Sequence, residues 1–519
     1  MMTVSNTEDS PMDYSSHLHK LVLHTLPLII GGSIAVGASF GNAVIITGIS
    51  SEAVAANAYI SSIKNVLIYP PRSIFFALQP LLGKAFQEKN HASIGKYWQH
   101  SMLLGLELSI LLSIPLLNMS FILKKAHQNE QLADITGHYL YFYAAAVPAN
   151  IGIEITNELF ITTNNEYLLI PSSLLRTGLE LGLNLFFIKY LKMGILGWEV
   201  STLLQPLLSC MTLLLYIAHS KKFEELQLFA IKNNDATYRQ ILSAIYQKQK
   251  EILQLGAPIC LQAFVAFGAY FIDILMLGKM DEKGMVAFNA CNQWSSWTIN
   301  ILSALSTSAC VLISQHNGSN KVLDAKKMGE TAIILGAVLS LTYLMISSLA
   351  YKPMTAVLLH SDDNKEPILS SAKNLMPIVG VCTLGFGLKF ITAGAMRGYQ
   401  KTKTPMLADV SGTILGLGLS AVLGFIGKKG AIGIATGEAL GLMIASMLLL
   451  GYFSKKTGMS HQYCSMFNRV HHVFERLPAK DKDVVPLHDD SLDISTAGYS
   501  PMHIDEELAE TNHSGNLRL

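Results

Sequence analysis

Charged side chains are scarce in this sequence. Asp, Glu, Lys and Arg make up 14% of its 519 residues, whereas hydrophobic residues make up 50% and the mean hydropathy is +0.36. Soluble domains of ordinary composition contain about 25% charged residues, so the deficit indicates that lipid is the main solvent of the chain. The net charge of +1 gives no broad basic field of the kind that attracts nucleic acid, and no nucleic-acid partner is expected.

Motifs for several kinds of chemistry are also missing. The sequence contains no GxxxxGK[ST] loop, so ATP does not drive this chain directly, and it has no HExxH or GxSxG motif. Five of its six cysteines lie in apolar stretches without CxxC or Cys/His spacing, so neither a disulfide framework nor a zinc site is supported. The apolar segments contain almost no histidine, so a membrane enzyme or receptor is disfavoured. We therefore expect no enzyme activity, no metal and no cofactor.

Long hydrophobic runs dominate what is present. About 20 apolar residues in a helix span a bilayer, and polar turns separate the runs. The sequence predicts twelve membrane-spanning helices, at about 21–47, 53–82, 95–122, 135–162, 167–190, 195–218, 251–278, 285–314, 328–350, 370–396, 405–426 and 431–453. Because residues 1–17 are polar and the first run is too long for a signal peptide, that run is predicted to be the first span.

The second six segments repeat the first six. Pro27 recurs as Pro258 and Asn57 as Asn289, at intervals that differ by a single position, and such a steady offset indicates a duplicated six-helix unit. Because six is even, both copies enter the membrane in the same direction and enclose a cavity between them. The predicted fold class is an all-α polytopic membrane protein with two parallel-repeat lobes around a central cavity. Its parts are a cytoplasmic N-terminal tail (1–20), an N-lobe (21–218), a cytoplasmic linker (219–250), a C-lobe (251–456) and a polar, disordered cytoplasmic tail (457–519).

Lysine and arginine are concentrated in the even-numbered connections between the helices, as in Lys221, Lys222 and Arg239 of the linker. Cytoplasmic loops carry the excess of these residues. Both termini are therefore predicted to lie in the cytoplasm, and the chain is predicted to be a multi-pass protein of the cell membrane (inner or plasma membrane). The lipid bilayer is its expected surrounding, and a monomer is expected.

Four stretches identify a family resemblance when they are read in order. They are "GILGWEVST" (194–202), "FIDILMLG" (271–278), "AGAMRGYQKTKTPM" (393–406) and "GAIGIATGE" (430–438). Over residues of about 20–455 the chain resembles the multidrug and toxic compound extrusion (MATE) family. The resemblance implies a V-shaped pair of lobes that exports organic cations, its small-molecule partners, in exchange for H⁺ or Na⁺ by alternating access.

The chain departs from the family's pattern at two positions. The aspartate usual in the first helix is missing, and Asn42 is the nearest polar residue, shifted by one position. When helix ten is aligned on Arg397, Lys389 falls in a stretch where the drug-exporting branch of the family carries a cation-binding acid. Coupling of export to an ion must therefore rest on other carboxylates, or be lost.

Helix four carries the most suggestive polar stripe. Asn150, Glu154, Asn157 and Glu158 are spaced i, i+4, i+7 and i+8, which places them on one helical face. Two buried carboxylates at i, i+4 repel each other and can share one proton, as a proton-coupled cation site requires. The alternative is that Glu158 merely meets water at the cytoplasmic interface. On helix five, Arg176 and Glu180 have the same spacing and are predicted to form a structural ion pair.

Helix eight presents a second polar face. Its neutral hydrogen-bonding side chains and an aromatic ring suited to cation–π contact predict a lining for the substrate cavity, to which we also assign Asn42 and Asn57. The alternative is that these groups hold neighbouring helices together. The residues of this face are Asn289, Asn292, Gln293 and Trp297.

Asp273 lies in a run that is otherwise free of charge from Ile252 to Gly278. Because an intramembrane carboxylate costs about 2.5–3.5 kcal/mol even on insertion scales, we predict a protonation or cation site, neutralised in one state by Lys389. Its match to the first-helix aspartate of the family supports this interpretation. The alternative is that Asp273 faces water at the outer interface.

A lipid-linked saccharide flippase is the alternative function, because such proteins share the doubled fold in the resemblance. A cavity that handles anionic pyrophosphate should be basic. The first lobe instead has five candidate membrane acids and three bases, which favours cations. The acids are Glu107, Glu154, Glu158, Glu180 and Glu199, and the bases are Lys64, Arg72 and Arg176.

Overall fold

A computed structural model describes residues 14–229, 238–280, 282–358 and 365–457. Over these ranges the chain is all-α and contains no β-strand. Residues 458–519, which make up nearly all of the predicted C-terminal tail, lie outside the described residues. The same holds for residues 1–13 of the predicted N-terminal tail and for residues 230–237 of the predicted linker.

Ten α-helices lie between residues 14 and 229, and the last of them falls in the predicted linker. They are α1 (Tyr14–Thr47), α2 (Ser51–Leu67), α3 (Tyr69–Arg72), α4 (Leu78–Gln87), α5 (His91–Leu117), α6 (Met119–Lys125), α7 (Glu130–Thr162), α8 (Leu169–Asn184), α9 (Ile195–His219) and α10 (Lys221–Glu224). Short 3₁₀-helices lie at Ser73–Ala77 and Glu166–Leu168, and a π-helical turn at Leu185–Tyr190 continues α8.

The C-lobe contains seven described α-helices. They are α11 (Tyr238–Met280), α12 (Glu282–Gly318), α13 (Val322–Leu349), α14 (Tyr351–Leu358), α15 (Lys365–Gly398), α16 (Lys403–Ala421) and α17 (Gly430–Thr457). A π-helical turn at Val422–Ile426 continues α16. Because α11 begins at Tyr238, residues 238–250 of the predicted linker belong to the seventh helix.

The twelve spans pair into two lobes, but they are not twelve uninterrupted helices. Nine helices in the described ranges are long and apolar enough to cross a membrane by themselves. The predicted second span, 53–82, is divided because α2 ends at Leu67 and Pro70 and Pro71 follow. Proline lacks the backbone N–H that would continue the hydrogen-bond ladder and clashes with the preceding turn. The break places Arg72 directly after it.

The duplication extends to unusual backbone geometry. Gly194 and its counterpart in the second lobe, Gly430, have φ angles of 58° and 53°, a left-handed conformation that favours glycine. Each follows one of the two π-helical turns. Three residues on, a Cβ on Gly197 would lie 2.9 Å from the carbonyl carbon of Phe187, and one on Gly433 would lie 2.6 Å from that of Leu423. Helices six and twelve therefore pack against the same turn of their neighbours, which confirms the predicted six-helix repeat.

The two lobes meet along α12. The His24 ring on α1 lies 3.1 Å from the Ser308 hydroxyl, and the Gln315 side chain donates to the backbone carbonyl of Thr162 at 3.2 Å and to the Asn164 side chain at 2.9 Å. These buried polar bonds join the N-lobe to the C-lobe at the end where α4 and α7 also contact α12.

Candidate functional site

The two carboxylates of the helix-four stripe lie on α7 but bind different partners. Glu154 accepts a hydrogen bond from the Arg72 guanidinium at 2.5 Å. Glu158 is buried and accepts one from the Gln79 side chain at 3.2 Å, while its second oxygen has no hydrogen-bond partner. The alternative of Glu158 merely meeting water is wrong, because the side chain is 3% exposed. The pair repels but forms no direct hydrogen bond between its members.

The two asparagines of the same stripe make local contacts. Asn150 donates to the backbone carbonyl of Ala146 at 3.2 Å, one turn earlier in α7. Asn157 accepts a bond of 3.4 Å from Ser172 on α8. These contacts hold the backbone and the α7–α8 packing together and do not by themselves form a ligand site. Asn57, assigned to the same cavity, is half-buried on α2.

Asn42 lies at the centre of a polar network between α1 and α8. Its amide donates to Glu180, and the Asn184 amide donates to the Asn42 oxygen at 2.8 Å. The predicted pair of Arg176 and Glu180 is not formed: no ion pair joins these two described residues within 4.0 Å. Helix five thus supplies a carboxylate next to Asn42. The spacing within helix five predicted the wrong partner for Glu180, because it contains no information about which residues of a neighbouring helix lie close by.

Asp273 is buried in the C-lobe, with 2% of its surface exposed. The interpretation in which it faces outer water is therefore wrong. Ser420 on α16 lies within hydrogen-bonding reach of the carboxyl group, and Glu438 on α17 is close enough to repel it. One carboxyl oxygen of Asp273 has no hydrogen-bond partner. A carboxylate in this position is stable only if a proton or a cation neutralises it.

Lys389 is paired with a residue that the sequence analysis did not single out. Its ammonium lies 2.6 Å from the Asp409 carboxylate, and the two side chains are 4% and 3% exposed. The Thr413 hydroxyl lies 3.5 Å from the same carboxylate oxygen. The expected direct pairing of Lys389 with Asp273 is not formed. A sequence signal did exist, since Asp409 is the only charged residue in 405–426.

Four ionisable groups together form what we name the C-lobe charge cluster: Asp273, Lys389, Asp409 and Glu438. Glu438 interacts electrostatically with both Lys389 and Asp273. The cluster therefore holds one cation among three carboxylates. The carboxylates do not converge on one point, and among the described residues no group of three or more His, Cys, Asp or Glu side chains is arranged to hold a metal ion.

The two lobes match at this position. Asp273 is the repeat counterpart of Asn42, at the interval that also separates the two repeated prolines. Ser420 is the counterpart of Asn184, at the interval that separates the two left-handed glycines. In both lobes the first helix thus places a polar side chain against the fifth helix of the same lobe. The contact is Asn42 with Asn184 in the N-lobe and Asp273 with Ser420 in the C-lobe.

The polar side chains predicted on helix eight lie in different surroundings. Asn289 and Gln293 are exposed, whereas Asn292 lies within hydrogen-bonding reach of Tyr270 on α11. Trp297 stacks on Phe40 of α1, with ring centroids 6.4 Å apart and an angle of 12° between the planes. The face is divided because α12 contacts both lobes, so successive side chains meet different neighbours.

Comparison with known proteins gives a consistent result. The MatE family model matches residues 27–185 and 258–422, one range in each lobe. The probable multidrug resistance protein NorM of Chromobacterium violaceum is 21% identical over 449 residues, which cover 83% of this chain and 92% of that protein.

Two solved structures share the fold. The eukaryotic MATE transporter AtDTX14 matches with a TM-score of 0.75 and 15% identity, covering 87% of this chain and 99% of the other. A MOP superfamily transporter from Pyrococcus furiosus, described as having a binding pocket of reverse polarity, matches with a TM-score of 0.77 and 15% identity, covering 85% and 96%. Family model, relative and fold agree: this chain is a multi-pass membrane transporter of the MATE family.

Proposed function

We propose that the protein is a secondary antiporter that exports organic cations in exchange for protons, with the C-lobe charge cluster as its coupling site. The observation that carries the proposal is the excess of carboxylates over cations in a buried region. Lys389 binds Asp409 directly and also faces Glu438, so one lysine serves three carboxylates and Asp273 has no ion pair among the described residues.

Two ionised carboxylates cannot remain close together in a buried site without a large electrostatic cost. They must take up protons or a cation, and which of these they bind depends on which is present in the cavity. A proton that enters from outside can hold the site neutral, and an organic cation that arrives from inside can replace it. Such mutually exclusive occupancy is the requirement for exchange.

Protons fit the cluster better than sodium. A cation such as Na⁺ needs several oxygens directed at one point, and among the described residues no three His, Cys, Asp or Glu side chains are arranged to hold a metal ion. A proton needs only one carboxyl oxygen, and Asp273 has one that makes no hydrogen bond. Tyr270 and Cys382 also lie close enough to interact with Asp273. We place the transporter in the cell membrane as a monomer, with both termini in the cytoplasm.

The test is ethidium efflux from vesicles that contain the purified protein, driven separately by a pH gradient and by a sodium gradient. We expect the pH gradient alone to drive efflux in the parent. Asp273→Asn and Glu438→Gln should each reduce this efflux at least tenfold and flatten its dependence on external pH. Glu107→Gln is the matched control, because Glu107 is exposed and bonded to Gln249.

Three outcomes contradict the proposal. A sodium gradient that suffices without a pH gradient would exclude protons as the coupling ion. An Asp273→Asn profile superimposable on that of the parent would remove the cluster from the coupling step. Movement of a lipid-linked saccharide, with no efflux of any organic cation under either gradient, would favour the flippase instead.

A further inference from the structure

Lys64 in the N-lobe is a half-buried cation without an ionic partner. No carboxylate of the described residues lies within 4.0 Å of its ammonium, which makes no hydrogen bond to them. The ammonium instead lies 4.8 Å from the centre of the Tyr143 ring and 5.6 Å from that of Tyr139. An ammonium carries three N–H donors, and none of the three makes a hydrogen bond to the described residues.

A second cation shares the same aromatic wall. The Arg72 guanidinium lies 5.6 Å from the centre of the Tyr69 ring, and both Arg72 and Lys64 interact electrostatically with Tyr69 and Tyr143. Arg72 is neutralised by Glu154, but its Nε atom is buried and makes no hydrogen bond. The wall therefore presents one unneutralised cation and one cation with a spare donor.

Glu180 attracts Lys64 but does not form an ion pair with it. Glu180 attracts the Lys64 ammonium, yet one oxygen of Glu180 accepts the amide of Asn42, and no direct contact with Lys64 is formed. By the interval that relates Asn57 to Asn289, the C-lobe position equivalent to Lys64 is Ser296. The C-lobe thus has no cation at this position, and the two lobes differ in polarity.

An aromatic pair joins the two charged regions. Tyr69, in the aromatic wall beside Arg72 and Lys64, stacks on Phe267 of α11 with ring centroids 6.1 Å apart. Phe267 lies on the same helix as Asp273, six residues before it. A molecule that contacts this aromatic pair therefore lies beside the tyrosine rings near Lys64 and beside α11, the helix that carries Asp273.

We propose that Lys64, with Tyr139 and Tyr143, forms an anion subsite that binds a carboxylate or phosphate group of the exported molecule. The preferred substrates are then zwitterions with an aromatic body, whose cationic end is bound by the C-lobe. This inference rests on the proposed export function for the orientation of the molecule. The subsite itself rests on the geometry around Lys64.

The experiment compares rhodamine B, which carries a carboxylate, with its ethyl ester, which does not. Binding to the purified protein in nanodiscs is measured by fluorescence anisotropy, and efflux is measured from vesicles. The parent should bind rhodamine B at least tenfold more tightly than the ester, because a hydrogen bond between charged groups is commonly worth that factor or more. Lys64→Gln should remove this preference by weakening rhodamine B alone, and Lys64→Arg should largely retain it.

Lys84→Gln is the matched control, because Lys84 is exposed and paired only at the surface with Glu88. An equal affinity of the parent for the two dyes, or an equal loss for both dyes in Lys64→Gln, overturns the subsite. The subsite is also overturned if Lys64→Gln reduces the retention of phosphatidylglycerol but does not change the binding of rhodamine B in phosphatidylcholine nanodiscs. The site then binds a lipid. If neither gradient drives efflux of either dye, the export proposal fails while the binding comparison still decides the subsite.

Discussion

The buried ion pair of Lys389 and Asp409 gives the sharpest test of the C-lobe architecture. Its atoms lie 2.6 Å apart and both side chains are almost wholly enclosed, at 4% and 3% exposure. Removing one partner of such a pair leaves an uncompensated buried charge, which typically costs about 3–5 kcal/mol. We therefore expect Lys389→Met and Asp409→Leu each to lower the free energy of unfolding by about that amount.

The double variant separates the charge from the shape of the site. Replacing both partners by apolar residues of similar volume is often neutral or stabilising, by about 1–4 kcal/mol in known cases. Lys389→Met/Asp409→Leu should therefore recover most of the stability lost in either single variant. It should not recover transport, because Glu438 still loses the lysine that it faces.

The pH dependence has a definite sign. In Lys389→Met the stranded group is the Asp409 carboxylate, which becomes neutral when it takes up a proton. The deficit of this variant relative to the parent should shrink as the pH falls.

Unfolding by SDS titration of the detergent-solubilised protein measures these differences. Lys84→Met is the control, since Lys84 and Glu88 form an exposed pair at 3.8 Å that is worth about 0–1 kcal/mol. Single variants as stable as this control would refute the reasoning. A double variant no more stable than the worse single one would show that packing, and not charge, sets the cost.

Two further predictions concern packing and the contact between the lobes. Gly437→Ala should sharply reduce the yield of folded protein, measured by size-exclusion chromatography, because its Cβ would lie 2.1 Å from the backbone nitrogen of Ser420. Gly418→Ala should leave that yield unchanged, because no atom lies within 4 Å of the added Cβ. Gln315→Ala removes the hydrogen bonds that the Gln315 side chain makes across the lobes, including the one to the Thr162 carbonyl. Each such bond is worth about 0.5–1.5 kcal/mol. The variant should therefore increase the labelling of cysteines introduced at this end of the cavity. Labelling equal to that of the parent would contradict the second prediction.

The fold was predictable because lipid simplifies the pattern. Hydrophobic runs mark the spans, and a constant offset marks the duplication, since both depend only on local composition and order. The breaks within a span were less accessible: Pro70 and Pro71 lie in an apolar run that reads as one segment, and the structure shows α2 ending before them. Likewise α11 begins at Tyr238 because its amphipathic start continues the apolar helix without a stop signal.

The partners of the charged groups were harder to predict. Spacing along one helix identifies residues that share a face, as for the stripe on α7, but it does not say which helix that face meets. Glu180 was assigned to Arg176 by spacing and instead bonds Asn42 on α1. Lys389 was expected to serve Asp273 and instead holds Asp409, which is twenty residues further along and on the next helix. Such partners depend on helix packing, which no periodicity in the sequence specifies.

The comparison of the lobes supports the proposal that the coupling site lies in the C-lobe. Duplication placed a polar residue of the first helix against the fifth helix in both halves, and the halves then diverged in how they neutralise charge. In the N-lobe, Glu154 is paired with Arg72 and Glu180 accepts the neutral amide of Asn42, while Glu158 keeps one oxygen without a partner. In the C-lobe, Asp273 keeps an oxygen without a partner beside a repelling Glu438, and the cluster holds one lysine among three carboxylates. This excess of negative charge is what would allow a transported proton and a transported cation to replace each other.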